Sequence, residues 1–417
     1  MLFIIKRLTF VVSGSCQSML RRNVLLCKRA CTGPLDTRLV LGIETSCDDT
    51  GAAVMDETGR ILGESSHTQK DVHLKTGGII PVVAQRLHKE NIARVVQEAL
   101  DKSGIAPRDL SAVATTVKPG LALSLGIGLQ YSLNFIQEHK MPFIPIHHME
   151  AHALTVRMIQ SVPFPFLVLL ISGGHCLLAV ARDIDDFLLL GQALDEAPGD
   201  TLDKVARRLS LVKHPKCSTL SGGQAIELMA QEGNRLKFHF KSPMGQHYDC
   251  NFSFAGFRNQ VTQVISKKEE DEGIQPGEIL SCVSDIAAAA QYTVASHIAK
   301  RTHRAILFCK AKGLLPQNSP SLVVSGGVAC NQYIRKTLQI VTDATGLDLH
   351  CPPAKLCTDN GVMIAWNGVE KLRKGKGIVA HTANIRYEPK APFGTDITGQ
   401  VKEAEIKVPP LKLKISQ

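Results

Sequence analysis

The feature that most constrains the fold is an internal repeat. Residues 38–69, RLVLGIETSCDDTGAAVMDETGRILGESSHTQ, read as three strands joined by tight polar turns. Residues 166–194, FLVLLISGGHCLLAVARDIDDFLLLGQAL, run through the same scheme, with a small polar turn at SGGH and an acidic turn further on. Apolar runs bounded by Gly, Asp and Ser are strand signals, and self-similarity on this scale implies a duplicated architecture. The parallel continues downstream. Helical sequence follows each meander, at 84–104 and 201–211. Residues 111–139 and 321–346 each read as strand, glycine-containing turn and helix, and 143–154 and 348–372 each read as a short strand followed by a helix. The expectation is two α/β lobes, each a mixed sheet with helices, facing each other across a cleft. Their spans are 37–160 and 161–390, divided near SVPFPF, with an insertion at about 210–280 and a C-terminal tail at 391–417. The insertion carries RRLSLVKHPK, NRLKFHFKS and KKEEDEG, all read as surface loops, the last as a solvated charge run.

The first 36 residues differ from the rest. They hold six Lys or Arg and one acid, Asp36, with basic pairs separated by apolar residues. That is the composition of a mitochondrial transit peptide, the other reading being a disordered basic arm; Lys6-Arg7 breaks what would be the apolar core of a secretory signal. This leader supplies +5 of the formal net charge of +10, leaving a mildly basic chain that permits a nucleic-acid partner without demanding one. No run of eighteen apolar residues suggests a membrane span. Of twelve cysteines, Cys16, Cys27 and Cys31 lie in the leader, and the others are scattered with no C-x-x-C pair. A zinc ribbon is therefore not expected, and a reducing compartment is.

Three small-residue turns stand out: ISGGH (171–175) joins two strands, ETSCDD (44–49) mirrors it in the first half, and SGGVACN (325–331) starts a helix. Such turns can present backbone N–H groups to phosphate oxygens, or can be plain turns. The cluster PIHHMEAHAL (145–154) places His148 and His152 four apart, hence on one helix face, where two imidazoles can chelate one metal ion. A protease of the H-E-x-x-H type needs glutamate directly after the first histidine, and Met149 stands there. Asp359 in CTDNG occupies the mirror position in the second lobe. The three make a two-His, one-carboxylate set. The other reading is a polar helix face and an ordinary aspartate N-cap.

GIETSCDDT, GGIIP, IHHMEAH, LISGGH, DEAPGDTLDKVAR, NFSFAGF, SGGVACN and CTDNGVMIAW occur in the order seen in the tRNA threonylcarbamoyladenosine transferases, once labelled O-sialoglycoprotein endopeptidases. The resemblance spans about residues 38–385, and with its leader the chain resembles the mitochondrial branch. It implies an actin-like, Hsp70-like (ASKHA) duplicated fold. It implies transfer of threonylcarbamoyl from threonylcarbamoyl-AMP to N6 of adenosine 37 in tRNAs reading codons that begin with A, forming t6A and releasing AMP. By the same resemblance His148, His152 and Asp359 hold one divalent metal ion per subunit, whether Fe, Zn or Mg. The donor meets Leu170, Ile171, Ser172, Gly173, Gly174, Asp203, Gly223 and Asn331, with Cys330 and Thr358 beside them. The implied partners are tRNA, a separate synthase that makes the donor, and a second identical subunit. No general base is assigned. The chain departs from the family pattern at Pro81-Val82, where the family commonly has Pro-Glu, at Gln130-Tyr131, where many members carry a lysine, and in the long spacing before Gly223. The rival functions are a metalloprotease, disfavoured by Met149, and a nucleotide-binding module or sugar kinase, for which no D-G-G-G-like turn is present.

Overall fold

The computed structural model describes residues 37–76, 78–379 and 385–411; the segment read as a transit peptide lies outside them. The first meander forms β1 (Leu39–Glu44), β2 (Asp49–Asp56) and β3 (Ile61–Thr68), joined by β4 (Ala112–Lys118) and β5 (Phe143–His147) in a sheet of order β3-β2-β1-β4-β5. β1, β2 and β3 pair antiparallel, while β4 and β5 add in parallel. The second half repeats this with β6 (Phe166–Ile171), β7 (Cys176–Ala181), β8 (Phe187–Gln192), β9 (Ser321–Ser325) and β10 (Asp348–His350). The segment read as a tail adds β11 (Thr395–Asp396), parallel to β8, and the helix Thr398–Glu403. Two sheets of one order and one mix of directions make the duplicated actin-like architecture.

Alternation along the strands sorts the core. Leu39, Leu41 and Ile43 of β1 face the helices Pro81–Ser103 and Ala122–His139. Leu167, Leu169 and Ile171 of β6 face the helices of the second half, including the buried Val283–Ala311. The opposite faces, Val40 from β1 and Phe166, Val168 and Leu170 from β6, turn toward each other around two helices, His148–Leu154 and Gly361–Lys374. Apolar strands covered on both faces explain the near-continuous hydrophobic runs in the sequence. Although Gly361–Lys374 belongs to the second half by sequence, it packs on β1, β2 and β4 of the first sheet.

The segment read as a solvated charged loop is helical. KKEEDE ends the helix Ala255–Glu272, whose Phe257, Val261, Ile265 and Glu269 form one buried stripe at four-residue spacing. Glu269 continues the apolar series because Arg208 reaches it, with Nη2 to Oε2 at 2.5 Å, so the charge enters the interior paired.

Helix Gly361–Lys374 touches the first sheet backbone to backbone. A Cβ on Gly42 would stand 2.5 Å from the Gly361 carbonyl oxygen and closer still to the Ala365 nitrogen, and one on Gly361 would stand 2.5 Å from the Ala52 carbonyl carbon. Backbone on both sides cannot yield, so Gly42→Ala should destabilise the fold by about 3 kcal/mol through overpacking. Urea denaturation checks this. A midpoint shift no larger than that of an alanine substitution at the open Gly399 would show that the contact is not tight.

Candidate functional site

The close-packed helix sets the position of Asp359. Asn360 is the N-cap of Gly361–Lys374, its side chain accepting from the Met363 amide at 2.8 Å, so Asp359 is not the cap and its carboxylate is free to turn outward. β5 runs through Pro145 to His147, and the helix His148–Leu154 begins directly after it. The result brings the three residues together. His152 Nε2 lies 3.0 Å and His148 Nε2 3.4 Å from Asp359 Oδ1, and one ligand atom from each residue falls within 4.8 Å of the others. Both histidines are buried and Asp359 is partly exposed, so the cluster opens on one side.

Behind it stands Glu44, at the end of β1 and fully buried. Its carboxylate accepts from the Ser46 amide at 2.5 Å and the Thr116 hydroxyl at 2.6 Å, and its Oε2 lies 3.2 Å from His148 Nδ1. A carboxylate can only accept, so His148 carries its proton on Nδ1 and presents Nε2 to the cluster. This is the usual support of a metal-binding histidine. Sequence reading missed Glu44; a lone glutamate ending an otherwise apolar strand was the available signal. Burial pushes the Glu44 carboxyl up, but neighbouring His148 outweighs it and holds it below its ordinary value. Burial pushes His148 down, while Asp359 and then Glu44 raise it to about 9. For Asp359, burial is overcome by His148 and His152, which hold the carboxyl well below the usual range. His175, its ring 6.4 Å from that of His148, is pushed down to about 4 by burial and by His148.

The residues fit a divalent ion. Two imidazole nitrogens and a carboxylate oxygen converge, one histidine is oriented from behind, and the open side leaves room for further oxygen ligands.

The two Ser-Gly-Gly turns also meet. Gly326 has φ +98°, and a Cβ there would stand 2.8 Å from the Ile171 carbonyl carbon, so only glycine fits. Gly173 and Gly174 stand exposed with nothing within 4 Å of an added Cβ. Ser172 Oγ accepts from the amides of Gly174 (3.3 Å) and His175 (3.1 Å), shaping the turn. Leu170 and Ile171 are β6 core residues whose side chains face two different apolar clusters, so any ligand contact there is through backbone. Asp203 Oδ1 accepts from the Gly223 amide at 2.8 Å, joining the helices Pro198–Arg208 and Gly222–Ala230. Asn331 is committed internally: it caps Gln332–Thr345 by accepting from the Ile334 amide and donates to Gln291 at 2.9 Å. Cys330 is half-buried at the end of the turn Gly327–Cys330. Thr358 lines a cavity of about 650 Å³ that shares Asp359 with the cluster and is bordered also by Glu64, Thr68, Lys355 and Asp49. Burial and then Asp48 raise Asp49 to about 7, and its Oδ1 has no protein partner. A carboxyl that titrates near neutrality can take a proton from an amine brought to it; the sequence placed it only within the turn ETSCDD.

Against known proteins, the tRNA N6-adenosine threonylcarbamoyltransferase family matches residues 60–366. The mitochondrial tRNA N6-adenosine threonylcarbamoyltransferase of Danio rerio is 74% identical, covering 90% of this chain and 93% of that protein. Its Homo sapiens counterpart is 64% identical, covering 91% of each. Among solved structures, HypF from T. kodakarensis aligns with a TM-score of 0.50 at 16% identity, over 81% of this chain and 48% of that one, a likeness of fold alone. The fold and the paired lobes define an actin-like two-lobe protein. The chain belongs to the tRNA N6-adenosine threonylcarbamoyltransferase family.

If His148, His152 and Asp359 hold a metal ion, His148→Ala, His152→Ala and Asp359→Ala should each reduce bound metal in elemental analysis of the purified protein. Glu44→Gln, which keeps shape but loses the charge behind His148, should weaken metal affinity by about tenfold or more. Unchanged metal content in all three alanine variants would remove the site.

Proposed function

We propose that this chain acts in the mitochondrial matrix, transferring the threonylcarbamoyl group of threonylcarbamoyl-AMP to N6 of adenosine 37 in tRNAs that read codons beginning with A. The observation that carries the reading is the His148–His152–Asp359 cluster with His175, the residue that closes the turn at 172–174, beside it in a chain of this family. The rival protease reading has no support in the geometry: Glu150, the glutamate of the histidine helix, is ion-paired to Lys371 at 3.1 Å and mostly buried, away from the cluster.

The chemistry is attack of a weakly nucleophilic exocyclic amine on a carbonyl whose leaving group is AMP. The mixed anhydride is already activated, so positioning and charge stabilisation are the main tasks. His148, His152 and Asp359 would hold one divalent ion, which supplies Lewis-acid polarisation of a donor oxygen. The turns at 172–174 and 326–327 present backbone to the donor's phosphate. Helix Pro198–Arg208 begins against the first of them, the Gly199 amide donating to the Ser172 carbonyl at 3.1 Å, and carries Asp203 toward the donor.

Four further elements belong to the reading. The donor is made by a separate synthase. The tRNA backbone lies on the basic surface that includes Arg207, Lys213 and Lys216 together with the stretch 375–390, of which 380–384 lie outside the described residues. No helix among the described residues is long and apolar enough to cross a membrane. Finally, two copies pair through the exposed Val72, Ile79, Ile80 and Val82. Sedimentation should find two chains per particle, and one chain per particle in Val82→Lys; a wild-type monomer refutes the pairing.

The deciding assay mixes purified protein, divalent metal, synthetic threonylcarbamoyl-AMP and an unmodified tRNA, and reads modified nucleoside by mass spectrometry. Product should need all components and vanish with guanosine at position 37. Gly173→Val, at a turn where a side chain meets no protein atom, should fold normally yet lose about tenfold or more in donor affinity, the worth of one hydrogen bond to a charged group. No product from the complete mixture, or intact donor affinity in that variant, would contradict the respective part of the reading.

A further inference from the structure

Nine cysteines are free among the described residues, and two of them are paired in space. The turn Gly327–Cys330 packs against the helical turn Ala354–Cys357. Cys330 Sγ lies 3.6 Å from the Ala354 carbonyl oxygen and Cys357 Sγ 3.4 Å from the Pro352 carbonyl oxygen, at neighbouring points of one turn. Arg335 ties the two segments, donating to the Ala329 carbonyl on one side and, at 3.0 Å, to the Pro352 carbonyl on the other, with Nη2 3.6 Å from Cys357 Sγ. Cys330 Sγ thus reaches the backbone of the same short helical turn that ends in Cys357. Cys330 is half-buried and Cys357 fully buried.

We propose that Cys330 and Cys357 are a dithiol that closes to a reversible disulfide and, in closing, displaces Asp359. The Cys330 thiolate would attack one oxygen of hydrogen peroxide, forming a sulfenic acid and releasing hydroxide, which is protonated to water. Cys357 sulfur would then attack the sulfenic sulfur, form the S–S bond and release a second water. The two sulfurs together lose two electrons and the peroxide gains two; a dithiol reductant reverses the change. Cys330 is the exposed partner and the better nucleophile. Cys357 beside it, and then Arg335, hold its thiol down at about 7 against burial. Cys330 and burial push the Cys357 thiol up, which makes Cys330 the attacking group and Cys357 the one that follows. Burial pushes Cys250 to about 12 and Cys176 far above its ordinary value, and among the described residues neither has a thiol partner on a packed turn.

The consequence follows from chain connectivity. An S–S bond is about 2.0 Å long, much shorter than a contact between two thiols, so closure draws the turns together. Cys357 is two residues from Asp359, whose carboxylate sits 3.0 Å from His152. Pulling the end of Ala354–Cys357 toward Cys330 moves that carboxylate out of register with the histidines. This consequence rests on the metal-site reading above; the bond itself does not.

The test uses the purified full chain treated with hydrogen peroxide, then alkylated and digested. A peptide pair joined through Cys330 and Cys357 should appear by mass spectrometry and disappear after dithiothreitol. Zinc affinity, measured by competition with a chelating dye, should fall about tenfold in the oxidised protein and return on reduction. Cys330→Ser and Cys357→Ser should abolish both the linked peptide and the effect of peroxide on zinc affinity; Cys330, half-buried, keeps the test usable if Cys357→Ser does not fold. Peroxide that oxidises Cys330 without linking it to Cys357 overturns the proposal. So does a linked protein whose zinc affinity is unchanged. Failure of the reduced protein to bind zinc would instead count against the metal site, with the linked peptide still reporting on the bond.

Discussion

The site depends on one contact, the seating of helix Gly361–Lys374 directly on the backbone of β1 and β2. Gly42, Gly51 and Gly361 leave no side chain between them, so the helix start approaches the sheet as closely as backbone atoms permit. The contact crosses from the second half of the sequence to the first sheet, and therefore fixes the two lobes as well as the helix. Asp359 precedes this helix by one capping residue. Its distance from His148 and His152, which follow β5 of the same sheet, is then a matter of rigid backbone geometry rather than side-chain reach. A site built on element ends in this way holds its groups with little freedom to lose on binding.

Charge at the site is arranged in layers. Glu44 lies deepest and accepts three hydrogen-bond donors, which offsets the cost of burying a carboxylate. It orients His148, and His148 with His152 faces Asp359 at the edge of solvent. Glu44 and Asp359 are both held ionised by the histidines beside them, against the desolvation each carries. His175 is forced the other way and stays neutral beside the turn at 172–174. A cation on the open side would therefore meet one carboxylate directly and feel a second through an imidazole, while His175 adds no positive charge beside the neighbouring turn.

Much of this was legible in the sequence because it is periodic or repeated. The two meanders, the matching turns and the i, i+4 histidines all leave short-range patterns, and the structure places each where the pattern put it. Asp359 was legible only through the repeat, since CTDNG alone suggests a capping aspartate; the cap proved to be Asn360. Glu44 and Asp49 left no pattern. One ends an apolar strand and the other begins the next, and what distinguishes them is burial and the groups brought near by β4, β5 and the second lobe. The crossing of Gly361–Lys374 to the first sheet was likewise invisible, because helical periodicity shows that a face is buried without saying against what.

The insertion shows how a charge pattern misleads until partners are known. KKEEDE read as solvated, yet Glu269 is interior and Arg208 is bound to it. That pairing decides which basic residues can serve a tRNA backbone. Moving Arg208 to a phosphate would strand a buried carboxylate, at about 3–5 kcal/mol, more than a phosphate contact returns. Lys216 is also paired, with Glu232 at 2.6 Å, but both side chains are more than half exposed. Such an exposed, solvent-screened pair contributes little to stability and exchanges readily for phosphate. Lys213 gives up only one hydrogen bond to the Gly277 carbonyl. Within the proposed tRNA surface, Lys213 and Lys216 can turn outward, whereas Arg208 holds the helix Ala255–Glu272 against Pro198–Arg208, the helix that carries Asp203.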